Sequence, residues 1–210
     1  LIKLHKPNGH ILIDGRHKNL ALIETVTRTA DQIKDRGWSP VVQFNKIGVA
    51  VVPLSNTKDS AIALCNHFVT NNKSGIKLFV INPSGRTFYL FGNPSEAAAT
   101  GKAGLKIYSD QNGELVFDSR LKYLNVLGVC QQGMRLDANR QYGLLYTSPV
   151  PIQYGEQQAL GYAYEYDVYN VMFWYNHQGV LTQFWQSDTR HGAHNEAYTS
   201  PPLLVDLTGL

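Results

Sequence analysis

The chain has 210 residues, 43% of them apolar and 17% charged, with a formal net charge of +3. That balance belongs to a folded globular protein and excludes an intrinsically disordered one. The nineteen basic residues are scattered, densest only at Arg16, His17 and Lys18, and so do not form the concentrated basic face of a nucleic-acid binder. No apolar run approaches the roughly 18 residues of a membrane-spanning helix, and no charged segment leads into an apolar one, so the expectation is a chain made soluble, without membrane insertion.

In chain order, residues 2–5 (I-K-L-H) predict a short strand and residues 10–14 (H-I-L-I-D) a second. The Pro-Asn-Gly between them is hairpin chemistry, because Asn and Gly accept the positive φ of tight primed turns. A polar corner and a further strand, L-A-L-I-E at 20–24, follow, and residues 41–44 and 48–53 read as two more strands. Around residues 59–72 two readings stay open. One is a short helix capped by Asp59 or Ser60, with Ile62, Cys65, Phe68 and Val69 on one face. The other is a buried strand beginning A-I-A-L. Residues 79–85 (F-V-I-N-P-S-G) then predict a strand entering an Asn-x-x-Gly turn, with R-T-F-Y-L-F as the return strand. Residues 92–104 are rich in Gly and small side chains without apolar periodicity, as a linker or long loop should be.

Past that linker the opening phrase returns. Residues 8–20 read N-G-H-I-L-I-D-G-R-H-K-N-L and residues 112–124 read N-G-E-L-V-F-D-S-R-L-K-Y-L, agreeing at Asn, Gly, Asp, Arg, Lys and Leu without a gap, 104 positions apart. With L-K-I-Y at 105–108 and L-N-V-L-G at 124–128, the second half repeats hairpin, corner and strand. Residues 143–146 and the aromatic stretch 162–185 read as strands, and F-W-Y-N-H-Q-G at 173–179 matches 79–85 at an offset of 94. The tail, S-P-P-L-L-V-D-L-T-G-L, reads as an edge strand or a segment reaching a neighbouring subunit. Together these predict an all-β fold of two similar antiparallel β-sandwich-like modules in tandem, an N-terminal β module over 1–97 and a C-terminal β module over 98–210. One short helix is allowed for in the first.

Several groups invite a chemical reading. Asp14 with Arg16, and Asp118 with Arg120, are candidate ion pairs for orienting a ligand. The architectural reading is stronger: an Asp closing a strand accepts N–H bonds from the corner that follows, and a motif present in both halves is explained better by folding than by one active site. His177, His191 and His194, with Glu196 in reach along the chain, are the candidate metal ligands, although H-G-A-H also suits a polar surface loop. Tyr162, Tyr164, Tyr166, Tyr169 and Trp185 are the candidate interface or ligand-binding residues; aromatic faces stack on sugars or bury at interfaces, and a core role is favoured for Phe173, Trp174 and Tyr175. Cys65 and Cys130 sit in apolar contexts and read as buried free thiols, in keeping with a reducing compartment. There is no nucleophile elbow, no phosphate-binding glycine loop and no nominated carboxylate pair. No catalytic residue and no cofactor is therefore expected.

The phrase I-D-G-R-H-K-N-L-A-L at 13–22, the run 104–119 (G-L-K-I-Y-S-D-Q-N-G-E-L-V-F-D-S) and the segment 79–92 resemble small virion proteins of tailed bacteriophages. In those proteins a short hairpin is followed by an I-D-x-x-x-x-N-L-x-L corner. The resemblance covers residues 8–25 and 79–128, and it carries over a folding pattern but no site residues. It implies a non-enzymatic structural component of the virion, tail or tail-tip associated, forming a homo-oligomer and packing against other phage tail or tail-fibre proteins. The alternative expectations are a carbohydrate- or receptor-binding module at the tail periphery, with a host-surface glycan as ligand, and a metal-dependent hydrolase using the three histidines.

Overall fold

Frequent Asn-Gly and Gly-rich turns between short β-branched and aromatic runs leave this chain few alternatives to strands. The computed structural model describes residues 3–5, 11–14, 18–29, 42–70, 73–80, 86–146, 153–159, 162–189 and 201–210. Its first half contributes β1 (Lys3–His5), β2 (Ile11–Asp14), β3 (Ala21–Arg28), β4 (Val42–Phe44), β5 (Val49–Pro53), β6 (Ile62–Thr70), β7 (Lys73–Val80) and β8 (Arg86–Gly92). The second half contributes β9 (Lys106–Tyr108), β10 (Leu115–Asp118), β11 (Asn125–Val129), β12 (Tyr142–Leu145), β13 (Gln153–Ala159), β14 (Tyr162–His177), β15 (Val180–Thr189) and β16 (Leu203–Asp206). The fold is all-β and sandwich-like.

The centre is a six-stranded sheet in the order β11-β16-β12-β5-β8-β3, with every neighbouring pair antiparallel. Three strands come from each half of the chain, and β5 and β12 meet in the middle, where Val52 pairs with Leu144 and Pro53 with Gly143. Alternation along the strands gives two apolar faces. One carries Ala50, Val52, Phe88, Leu90, Leu144 and Leu204, packed with Val42 and Phe44 of β4, Trp174 of β14 and Leu181 of β15. The other carries Val51, Phe91, Leu145 and Val205, packed with Leu207 and with Leu20 and Leu124 from the corners. Each fully buried Phe or Leu here is worth about 1.5–3 kcal/mol of transfer free energy. Burial on both faces makes this sheet the centre of the molecule.

Smaller sheets surround it: the hairpins β1-β2 and β9-β10, and the three-stranded β4-β7-β6 and β13-β14-β15. The long β14–β15 hairpin turns where His177 pairs with Val180. Its two linking residues, Gln178 and Gly179, both have positive φ (51° and 83°), as a primed two-residue turn requires. The Asn176 carboxamide oxygen accepts from the Gly179 N–H at 2.8 Å. The Asn-x-x-Gly turn predicted at 176–179 is therefore present.

Three expectations are corrected. The helix considered over 59–72 is absent: residues 62–70 form β6, paired with β7 from Ile62↔Val80 to Thr70↔Lys73, and only a 3₁₀ turn at Lys58–Ser60 precedes it. The apolar positions 62, 65, 68 and 69 fit a helix face, but β-branched Ile62, Val69 and Thr70 fit a strand as well, and cross-strand pairing decides. The tail is not at an edge, since β16 lies between β11 and β12, with Leu204 and Val205 buried. The predicted hairpin spanning 79–92 is not one: β8 pairs with β3 and β5, and β7 with β4 and β6. Residues 81–85 lie outside the described residues.

Candidate functional site

The repeated phrase builds the same local structure twice. In the first hairpin Lys3, Leu4 and His5 face Asp14, Ile13 and Ile11; in the second Lys106, Ile107 and Tyr108 face Asp118, Phe117 and Leu115, with an irregularity in the same part of each ladder. The strands that follow behave alike. Ala21, Leu22 and Glu24 pair with Gly92, Phe91 and Leu90, leaving Ile23 bulged. Asn125, Val126 and Gly128 pair with Asp206, Val205 and Leu204, leaving Leu127 bulged. The β11 residues stand 104 positions after their β3 counterparts, and the β16 partners 114 positions after those of β8. The half-sheets β3-β8-β5 and β11-β16-β12 thus have matching order and register, meeting head-on at β5 and β12.

The second corner shows what the phrase does chemically. The Asp118 carboxylate is almost wholly buried and accepts from the Arg120 backbone N–H at 3.0 Å, from Nε at 2.8 Å and from Nη2 at 2.5 Å. The Asp118 N–H donates to the Tyr123 hydroxyl at 2.6 Å, and that hydroxyl donates to the Asp118 carbonyl at 3.2 Å. The Arg120 guanidinium holds the Asp118 carboxyl down at about 2 despite its burial. A carboxylate buried and bonded three times within its own corner is poorly placed to hold a ligand. This is architecture. In the first corner residues 15–17, and with them Arg16, lie outside the described residues.

The two corners also touch. Leu22 N–H donates to the Lys122 carbonyl at 2.7 Å, Leu124 N–H to the Leu20 carbonyl at 2.9 Å, and Lys18 forms an ion pair with Glu114 at 2.6 Å. That contact places the leucines of both phrases in the apolar cluster under the sheet.

The two outer strands of the sheet differ where the halves should match, and this marks the candidate site. The first edge, β3, is clamped at Ile23 and Glu24. Its Glu24 carboxylate accepts from the Asn45 N–H at 2.8 Å, the Asn45 side-chain amide at 3.1 Å and the Lys46 N–H at 3.1 Å. The Lys46 ammonium donates to the Ile23 carbonyl at 3.2 Å. Ile23 is 7% exposed. At the second edge, β11, Gly128 stands in place of Glu24 and Leu127 in place of Ile23. Val126, Leu127 and Val129 are 42%, 44% and 45% exposed, and among the described residues no strand pairs with the outer side of β11. Cys130 N–H donates inwards to the Pro202 carbonyl at 2.9 Å, so alternation turns the backbone groups of Val129 outwards. Gly128 has φ of 146°, a backbone that only glycine adopts without strain. The signal in the sequence is the uncharged run 123–134, legible only once its place at an edge is known.

Of the residues singled out from sequence, only part falls within the described residues. Tyr162, Tyr164, Tyr166 and Tyr169 lie on β14 and Trp185 on β15, opposite Met172; their side chains fall outside the described part. His177 ends β14, exposed and edge-on to the Tyr175 ring at 5.9 Å. His191, His194 and Glu196 lie outside the described residues, so the metal reading gains no geometry. Among the described residues no group of three or more His, Cys, Asp or Glu is placed to hold a metal ion. Phe173 and Trp174 are core. Cys130 is a buried free thiol, pushed up to about 12 by its burial, which removes it as a nucleophile. The side chain of Cys65, on β6, is outside the described part.

A polar cleft of about 240 Å³ lies beside the sheet centre, lined by Asn56, Tyr89, Arg140, Gln141, Tyr142 and Asn176 among others. Several of its polar groups are already bonded to neighbouring residues. Arg140 Nη1 donates to Asp206 at 3.0 Å, the Asn176 amide to Asn56 at 3.3 Å, and the Tyr142 hydroxyl accepts from the Asp137 N–H at 2.8 Å. It reads as a joint between loops.

Comparison with known proteins finds no family model that matches the chain, no similar curated protein and no similar solved structure.

Proposed function

We propose that this chain is a non-enzymatic structural component of a bacteriophage virion, tail or tail-tip associated, which works by packing against copies of itself and neighbouring tail proteins. The observation that carries the assembly part is the uncharged, apolar outer strand β11, exposed where its counterpart β3 is clamped by Glu24 and Lys46. An edge of that kind is a template for pairing with another chain. The attribution to a phage tail is supported by the resemblance of residues 8–25 and 79–128 to small virion proteins. An ancestral hairpin-and-sheet unit, copied once in tandem, accounts for the matching registers of the two halves. In this reading the repeated Asp-x-Arg phrase positions strands and performs no chemistry.

The test is immunogold electron microscopy with an antibody raised against the chain, applied to particles from a producing host. Labelling of the tail is expected. Particles that carry no label, with the chain remaining in the soluble lysate, reject the virion reading.

A further inference from the structure

We propose that β11 pairs with β11 of a second copy, antiparallel across a true two-fold axis, so that two six-stranded sheets become one. This deepens and rests on the assembly reading above, because it names the occupant of the same edge.

Three observations select a second copy in this arrangement. The first is charge. From Tyr123 to Met134 the chain carries no ionisable acid or base apart from the Tyr123 phenol and the Cys130 thiol. In an antiparallel pair centred between Leu127 and Gly128, Val126 stands opposite Val129, Leu127 opposite Gly128, and Lys122 opposite Gly133. No like charges meet, whereas a parallel pair would set Lys122 beside Lys122.

The second is the state of the other edge. Head-to-tail addition, β11 onto β3 of the next copy, would build a ring or an open filament. The residues 45–46 clamped by Glu24, and the Lys46 ammonium on the Ile23 carbonyl, already occupy that side of β3. The self-complementary pairing avoids that clamp, and it closes at two copies.

The third is the join the molecule already uses. Its two halves meet through β5 and β12, antiparallel strands on the pseudo-two-fold that relates the half-sheets, with Val52 on Leu144 and Pro53 on Gly143. A β11–β11 pair repeats that mode of joining at the outer end of the same sheet. The bulged Leu127, buried in its counterpart Ile23 but 44% exposed here, then lies beside the axis and gains the cover it lacks.

Sedimentation equilibrium and native mass measurement of the full chain test this, on the wild type and on Leu127→Lys and Val129→Lys. The wild type is expected to dimerise at tens of micromolar. Each lysine variant is expected to weaken the dimer by about tenfold or more, since each would place an ammonium from both copies within the pairing edge without an acidic partner, while keeping the wild-type circular dichroism and Tm. A wild-type chain that stays monomeric at several hundred micromolar overturns the inference, and so does a dimer that both variants leave intact. A chain monomeric alone but held in particles through the same edge also overturns it, and leaves the virion reading standing. A dimer that never labels a particle does the reverse.

Discussion

Leu124 donates its N–H to the carbonyl of Leu20 at 2.9 Å, and these two residues hold the same place in a phrase that the chain spells twice. Their side chains pack into one cluster with Val51, Phe91, Leu145 and Val205 beneath the central sheet. Leu20→Ala and Leu124→Ala are each expected to cost about 1–3 kcal/mol, the lower part of the usual range because both are only partly buried. Since they share neighbours, the double variant is expected to depart from additivity by about 0.5 kcal/mol or more. Urea denaturation of the four proteins of the cycle measures it.

Acid exposes the second corner. The Asp118 carboxyl lies well below its unfolded value of about 3.9 because Arg120 bonds to it. Its contribution to stability is therefore complete above about pH 4 and disappears as the pH falls through about 2. Glu114, lowered by Lys18, acts in the same direction. Asp118→Asn is expected to melt lower than wild type at pH 7 and to flatten the fall in Tm between about pH 4 and pH 2. Thermal melts followed by circular dichroism at stepped pH decide it.

Trp174 is 2% exposed, and its indole nitrogen has no hydrogen-bond partner among the described residues. A buried unpaired donor costs about 1–3 kcal/mol. Trp174→Phe removes that penalty with part of the ring volume and is expected to lose clearly less than the about 3–5 kcal/mol of Trp174→Ala. Equal losses for both would show the indole nitrogen to be satisfied in solution.

Cys130 is expected to resist thiol reagents in the native protein. In a Cys65→Ser background, its modification should track unfolding in denaturant, because the thiolate is disfavoured by burial. Rapid labelling of the native chain would contradict the packing of Cys130 with Leu136 and Trp174.

Period-two patterning and turn chemistry are local, and they made the hairpins and most strands legible: the Asn-Gly of 112–113 and the Asn-x-x-Gly of 176–179 are where sequence placed them. What sequence hid was long-range. The run 79–92 looks like one hairpin because Asn82 and Gly85 are turn residues, yet β8 leaves β7 to pair with strands of the central sheet. The tail looks like an edge because two prolines precede it, yet Leu204 and Val205 are buried on opposite faces. The open edge itself was invisible, since N-V-L-G-V reads as any buried strand until Ile23 and Leu127 are set side by side.

The place of β16 has a consequence for biosynthesis. It inserts between β11 and β12, strands that leave the ribosome well before it. Until residues 203–206 emerge, those two strands have no partner between them, and the sheet is split by a gap the width of one strand. Closure of the second half is thus a late, non-local event, slow in the manner of high-contact-order β proteins and exposed to aggregation meanwhile. A nascent chain stalled short of residue 203 would be a natural client for a chaperone.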